Sequence, residues 1–194
     1  MRRLSVWLPV LLLGSSLTAF LTAATAGQTA HLDDPAHLLP PQLGDMNVLE
    51  GKLADFERRS GIRILVQFHA KSPSADEDEV PGAYMHTLAT RLGVAQRGAL
   101  LVYFADDPDW RIWIGDELTP AFAGKSGTVK ELTDSKAIHD VKEALLASAR
   151  AQADAAFAAL QKSAPANQPP TPAQHLRLQT EALIDALIAK LGAK

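Results

Sequence analysis

Three aspartates within four residues form a group that could bind a metal ion. Asp106, Asp107 and Asp109 follow residues 98–105, the most apolar run of the chain after its first residues, and Pro108 lies among them. Carboxylate oxygens on a flexible loop are ligands that Ca²⁺ prefers. The same residues suit a solvated hairpin turn, because Asp tolerates left-handed backbone and Pro fixes φ. The spacing therefore predicts a hairpin turn whose composition also suits Ca²⁺ or another divalent cation.

A second group of possible ligands lies earlier in the chain. His31 and His37 flank Asp33 and Asp34, so a site of histidine and carboxylate ligands is chemically possible there. We count Asp34 as a candidate metal ligand with the three later aspartates. The two histidines lack the four-residue spacing of ligands on one helix. The alternative interpretation is a flexible amino-terminal segment.

Catalytic groups are not evident in the sequence. The chain has no cysteine, which excludes thiol nucleophiles and thiolate metal sites. His69 follows a predicted strand, where a lone histidine is usually a surface or capping residue. The acidic run 76–79 is interpreted as a solvated loop. Phosphoryl transfer in this chain would therefore need a metal-activated water.

Residues 1–26 have the features of a secretory signal peptide. Arg2 and Arg3 precede an apolar run at residues 4–13, and residues 24–26 are small enough for signal peptidase. An uncleaved anchor is the alternative, but the run is shorter than the roughly 20 residues of a spanning helix. We expect a periplasmic or secreted chain without a permanent membrane anchor. Loss of the two arginines takes the formal net charge from -3 to -5, which disfavours nucleic acid as a partner.

Segments with helical and strand periodicity alternate after the signal peptide. Their order predicts an α/β fold, a three-layer sandwich with a mixed β-sheet flanked by helices. We expect the two strands of the hairpin to form the centre of that sheet. The predicted elements are a helix over 41–60, a strand over 62–68, a helix over 82–92, hairpin strands over 98–105 and 110–115, and a long helix over about 138–160.

The end of the chain divides from this domain, which we place at residues 31–162. Residues 163–172 form a Pro-rich, uncharged linker, and residues 173–192 form an amphipathic helix. A helix with so apolar a face should not remain free in solution. It should dock on its own domain, pair with a second copy or bind another partner.

Several short motifs in a fixed order carry a resemblance to a known family. Residues 32–35 (LDDP), a helix that ends at Ser60-Gly61, and the strand 62–66 (IRILV) resemble the start of the TPM domain. Residues 97–107 (RGALLVYFADD) and 111–118 (RIWIGDEL) resemble two later motifs of that family. The resemblance covers roughly residues 31–160. This chain differs from the family pattern at Arg97, where the family usually has Asn or Asp. It also differs at residues 115–118 (GDEL), which lack the family's second glycine.

The resemblance implies two functions of different classes. Some TPM domains are acid phosphatases that bind a divalent cation through acidic residues near strand ends, and others are non-enzymatic accessory proteins of membrane complexes. Since no base or nucleophile is visible here, we favour an accessory or binding module of the cell envelope. Its expected partner is an envelope protein or membrane complex of unknown identity. The alternative is a metal-dependent phosphatase of low specificity.

Overall fold

Four strands join into one mixed sheet in the computed structural model, which describes residues 30–40 and 43–193. The order in the sheet is β1-β2-β3-β4; the first three strands run parallel, and β4 runs antiparallel to β3. The mixed sheet predicted from the sequence is confirmed. The strands are β1 (Leu32–Asp33), β2 (Arg63–His69), β3 (Gly98–Phe104) and β4 (Asp109–Ile114).

The predicted helices form with small shifts at their ends. Two further helices, α3 and α4, were not predicted because segments of five or six residues are too short to show a helical period. No helix within the described ranges is both long and apolar enough to cross a membrane. The predicted signal peptide lies outside those ranges. The helices are α1 (Leu43–Ser60), α2 (Ala83–Arg91), α3 (Thr119–Ala123), α4 (Val129–Asp134), α5 (Ala137–Ser163) and α6 (Pro172–Gly192).

Helices cover both faces of the sheet, which confirms the three layers. Successive side chains of a strand point to opposite faces. Ile64 and Phe68 of β2 belong to a core with residues of α1, α5 and α6. Leu65 of β2 and Leu100 of β3 belong to a smaller core with Leu88 of α2. The apolar run that forms β3 is therefore buried on both sides.

Strand β4 lies at an edge of the sheet, so the expectation that the hairpin forms its centre was wrong. Buried Trp110, Ile112 and Ile114 alternate along β4 with the more exposed Arg111 and Trp113. Such alternation is typical of a strand with one protected face. After β4 the chain enters a 3₁₀ turn and then α3. Among the described residues no strand pairs with the outer side of β4, so β2 and β3 are the central strands.

The opposite edge strand, β1, is fixed by a histidine between two glutamates. His31 is only 8% exposed, its Nδ1 lies 2.6 Å from Oε1 of Glu50, and its Nε2 lies 2.6 Å from Oε2 of Glu57. Glu50 also accepts hydrogen bonds from the backbone amides of His31 and Leu32, at 2.9 and 3.0 Å. The expectation of a flexible segment was therefore wrong at His31, because α1 supplies two acceptors seven residues apart on one face.

Helix α6 packs against the rest of the chain. Its apolar stripe is buried in the same core as β2, and Ile184 is 0% exposed. Thr171 and Gln174 form a capping box at its start, and Lys52 of α1 binds Asp185 at 2.6 Å. Residues 164–171 connect it to α5. Docking on its own domain, one of three predicted outcomes, is confirmed. Self-association through residues 173–192 stays a prediction, which would use the side chains that docking leaves exposed.

The Glu50 contacts should make stability depend on acid pH. Burial alone raises the pKa of Glu50, but hydrogen bonds from His31 and Leu32 lower it overall. The contacts thus stabilise the fold above the unfolded pKa of about 4.3, and this contribution is lost as the pH falls through the folded value. We expect Glu50→Gln to flatten the loss of unfolding free energy between about pH 6 and about pH 3, measured by urea denaturation. Substitution of the exposed Glu79 by Gln should leave this pH dependence unchanged. Equal pH dependence of the unfolding free energy in the parent and in Glu50→Gln would contradict the stabilising role of the Glu50 contacts.

Truncation of one α6 side chain should test whether the helix is docked in solution. Ile184→Ala removes a fully buried side chain, so we expect a loss of about 2–5 kcal/mol of unfolding free energy. Leu160→Ala in α5 is the control, because Leu160 is 38% exposed and should cost within about 0.5 kcal/mol. Equal losses in the two variants would show that α6 is not docked.

Candidate functional site

The acidic residues singled out in the sequence lie at one edge of the sheet. The parallel strands β1, β2 and β3 all end there, and antiparallel β4 begins there. We call this side of the sheet, where the parallel strands end, the carboxyl edge. It carries Asp33, His69, Asp109 and the turn at 105–108. Ligands of open α/β sheets bind beyond such edges. Asp116 lies past the opposite end of β4, as hairpin geometry predicts.

Asp106 connects the hairpin turn to the loop after β2. Its Oδ1 accepts hydrogen bonds from the Ser72 amide at 2.8 Å and from the Ser72 hydroxyl at 2.9 Å. The Ser72 hydroxyl lowers the pKa of Asp106, so this carboxylate stays ionised in mild acid. Asp107 and Asp109 are exposed. The turn therefore presents three carboxylates to solvent, one of them held in place.

Asp34 has a structural role in this conformation. Its Oδ1 accepts from the Leu38 amide at 2.9 Å, and its Oδ2 accepts from the Leu39 amide at 2.8 Å. Aspartates often close turns in this way. Both oxygens of this predicted ligand are therefore engaged with backbone amides.

The carboxyl edge suits a hard cation by its donor chemistry more than by its geometry. Asp106, Asp107 and Asp109 offer the oxygen ligands that Ca²⁺ takes. Within the part of the chain that the structure describes, no three His, Asp or Glu side chains are arranged to hold one ion. An ion at this turn would have to complete its coordination with water or with a partner's oxygens. Metal binding by these residues stays a prediction.

His69 forms a hydrogen-bonded chain at the carboxyl edge that the sequence analysis missed. Its Nδ1 lies 3.1 Å from the hydroxyl of Tyr84, and its Nε2 lies 3.2 Å from Oε1 of Gln67. Burial lowers the pKa of His69, although Asp33 opposes this effect, and burial raises the pKa of Tyr84. The neutral ring thus accepts from the Tyr84 hydroxyl at Nδ1 and donates to Gln67 from Nε2. A histidine after a strand was the only signal in the sequence.

A second polar contact holds the acidic loop of residues 76–79. The sequence suggested a solvated loop, but one of its residues is bound to the rest of the fold. Asp78 binds the Arg111 guanidinium at 2.8 Å and accepts from the Tyr84 amide at 3.2 Å. The guanidinium also lies 5.0 Å from the centre of the Phe104 ring, a cation–π distance. The start of α2 is thereby joined to β4.

Comparison with known proteins identifies one matching family. The family model of the TPM domain matches residues 32–160, from β1 to near the end of α5, so α6 lies beyond the match. No curated protein matches the chain. Among solved structures, the chain is similar to the N-terminal domain of a protein from P. gingivalis, determined by solution NMR. That similarity has 18% sequence identity and a TM-score of 0.47, and it covers 86% of this chain and 87% of the other.

The His69 contacts predict a histidine that stays neutral near neutral pH. Because burial lowers its pKa, the His69 ring should titrate below about 6.5, the value of a histidine in a peptide. Tyr84→Phe removes the hydroxyl that donates to Nδ1 and should move the ring-nitrogen shifts of neutral His69. An NMR titration of the ring signals measures both effects. A midpoint at or above the peptide value would contradict the buried, neutral ring.

Proposed function

The chain belongs to the TPM domain family, and from that premise we propose that it is an accessory or binding module of the cell envelope. One observation carries the choice of a module over an enzyme. Both ring nitrogens of His69 are engaged, one by the Tyr84 hydroxyl and the other by Gln67. A general base needs a free lone pair within reach of the proton that it removes. The histidine at the carboxyl edge therefore serves better as a rigid support than as a base.

The proposed location rests on the sequence of residues 1–26. A basic start, a short apolar run and small residues before the expected cleavage point favour export to the periplasm or the exterior. The acidic balance of the remaining chain favours a protein partner over nucleic acid. An envelope protein or a membrane complex is therefore the partner that we propose.

The module is also proposed to bind a divalent cation at the hairpin turn. Asp106, Asp107 and Asp109 place three negative charges within four residues, and a cation would offset their repulsion. Asp34 could join them only by releasing the amides of Leu38 and Leu39. We therefore assign the ion to the three aspartates of the turn and to water.

Calcium should raise the thermal stability of the protein. A ligand that binds only the folded state stabilises it by mass action, by about 2.7 kcal/mol at one hundred times its Kd. We expect Ca²⁺ to raise the Tm of the parent chain in a calorimetric melt. Asp106→Asn combined with Asp107→Asn should remove that increase.

A charge-matched control separates a site from general screening. Asp76→Asn combined with Glu79→Gln removes two exposed charges from the loop before α2, and the Ca²⁺-dependent increase in Tm should persist in this variant. If Ca²⁺ leaves the parent Tm unchanged, or if both double variants lose the increase equally, the turn is not a cation site.

One observation favours the alternative, a metal-dependent phosphatase of low specificity. Ser72 lowers the pKa of Asp106, so that carboxylate could hold a metal ion at acid pH. Such an enzyme would turn over an aryl phosphate through metal-activated water, and chelation or Asp106→Asn would abolish the turnover. The module predicts no turnover in any of these assays. Turnover that is lost both on chelation and in Asp106→Asn would show that the chain is a phosphatase and would contradict the module proposal.

A further inference from the structure

The outer edge of β4 presents backbone groups without partners. The Gly115 amide donates to the Gly98 carbonyl at 2.8 Å, and the register with β3 continues from there. Bonding groups alternate along an antiparallel pair, so the amides and carbonyls of Trp110, Ile112 and Ile114 point away from β3. Within residues 30–40 and 43–193, no hydrogen bond reaches these groups. The edge can therefore accept a further strand.

A groove of about 450 Å³ runs along this edge. Pro81 and Met85, at the start of α2, lie on one side of it. The other side is formed by residues of α4 and α5, among them Val129, Ile138 and Leu146. The walls are thus largely apolar and flank the edge on both faces of the sheet. Such a groove admits a single extended segment more readily than the edge of a second folded domain.

Lys142 of α5 lines the groove without a counter-ion. The side chain is half-buried, and no residue of the described ranges accepts a hydrogen bond from it or forms an ion pair with it. Burial lowers the pKa of Lys142, because a desolvated ammonium lacks compensation. A ligand with a carboxylate would supply that compensation.

The other charged groups around the groove are paired, exposed to solvent or near the ends of β4. Arg111 binds Asp78 outside the groove. His139 and Glu143 of α5 also line the groove, with His139 Nδ1 3.9 Å from Glu143 Oε1. Both are exposed, so solvent screens their charges. Asp109 is the first residue of β4, and Asp116 lies just beyond the last one, so both are away from the middle of the strand. Among the described residues, Lys142 is therefore the half-buried charge beside the middle of the strand that has no partner.

Two buried indole groups also lack acceptors near β4. Nε1 of Trp110 and Nε1 of Trp113 form no hydrogen bond in the described part of the chain. Buried donors are nearly always satisfied in native proteins. Three donor side chains around one strand, two indoles and an ammonium, thus remain unpaired.

We propose that this groove binds an extended peptide segment of a partner protein, which pairs with β4 as a fifth strand and places an acidic side chain against Lys142. Main-chain hydrogen bonds to the edge would supply affinity, and the apolar walls with Lys142 would supply specificity. The inference deepens the proposed module by naming its binding surface and the chemistry of its partner. It rests on that proposal but not on the cation.

Selection from a random hexapeptide library on the immobilised full-length protein tests the inference. The experiment is performed in a chelator, so failure of the cation proposal leaves it unaffected. We expect enriched peptides to alternate β-branched or aromatic residues with polar ones and to carry Asp or Glu at one constant position. No enrichment, or enrichment without an acidic position, would overturn the inference.

Affinities of the best labelled peptide, measured by fluorescence anisotropy, then test the contacts. Lys142→Gln should weaken binding at least tenfold, and Lys142→Arg should retain most of it. Lys162→Gln is the matched control, since Lys162 is exposed on the same helix.

Two methylated peptides test the strand pairing, one for each alternating set of peptide amides. N-methylation of the set that pairs with β4 should abolish binding because it removes the donors, whereas N-methylation of the other set should not. This last arm changes only the peptide, so it remains decisive if a Lys142 variant unfolds. Unchanged affinity for both methylated peptides would refute strand pairing, and unchanged affinity in Lys142→Gln would refute the acidic contact.

Discussion

The burial of β3 on both faces is the constraint on which the rest of the structure depends. Leu100, Leu101 and Val102 are 0% exposed, and a strand so apolar is stable only between two layers. Helix α2 covers one face, while α1, α5 and α6 cover the other. Because β1, β2 and β3 run parallel, the polar residues that end them are gathered at a single edge. The candidate site is thus a consequence of how the core is covered.

Periodicity predicted the longer helices and strands, because the side-chain pattern of a helix or strand is local. It could not predict partners that the fold brings together from distant positions. His31 meets Glu50 and Glu57, and Asp106 meets Ser72 across 34 residues. The edge position of β4 had a signal that was overlooked, since the charged residues Asp109 and Arg111 alternate with apolar ones in its first half. The turn that Asp34 closes is signalled by the sequence, because Asp before Pro often begins a turn.

The two regions with possible function differ in how far their polar groups are satisfied. At the carboxyl edge, His69, Asp34 and Asp106 hold neighbouring groups and make that edge rigid. Beside β4, backbone groups and Lys142 have no acceptor or donor among the described residues. Buried or half-buried polar groups cost free energy until they are paired. This contrast supports our proposal that the partner binds at the outer strand, and it leaves the carboxyl edge to the proposed cation.

The docking of α6 makes the larger core depend on contacts between segments that lie far apart in the sequence. The helix ends at Gly192 and packs on α1, whose residues are among the first of the fold. Contacts between such distant segments slow folding, because a long loop must close before they form. The larger core therefore cannot close before α6 has been synthesised. Until then, the apolar residues of α1 and β2 that α6 covers stay exposed to solvent.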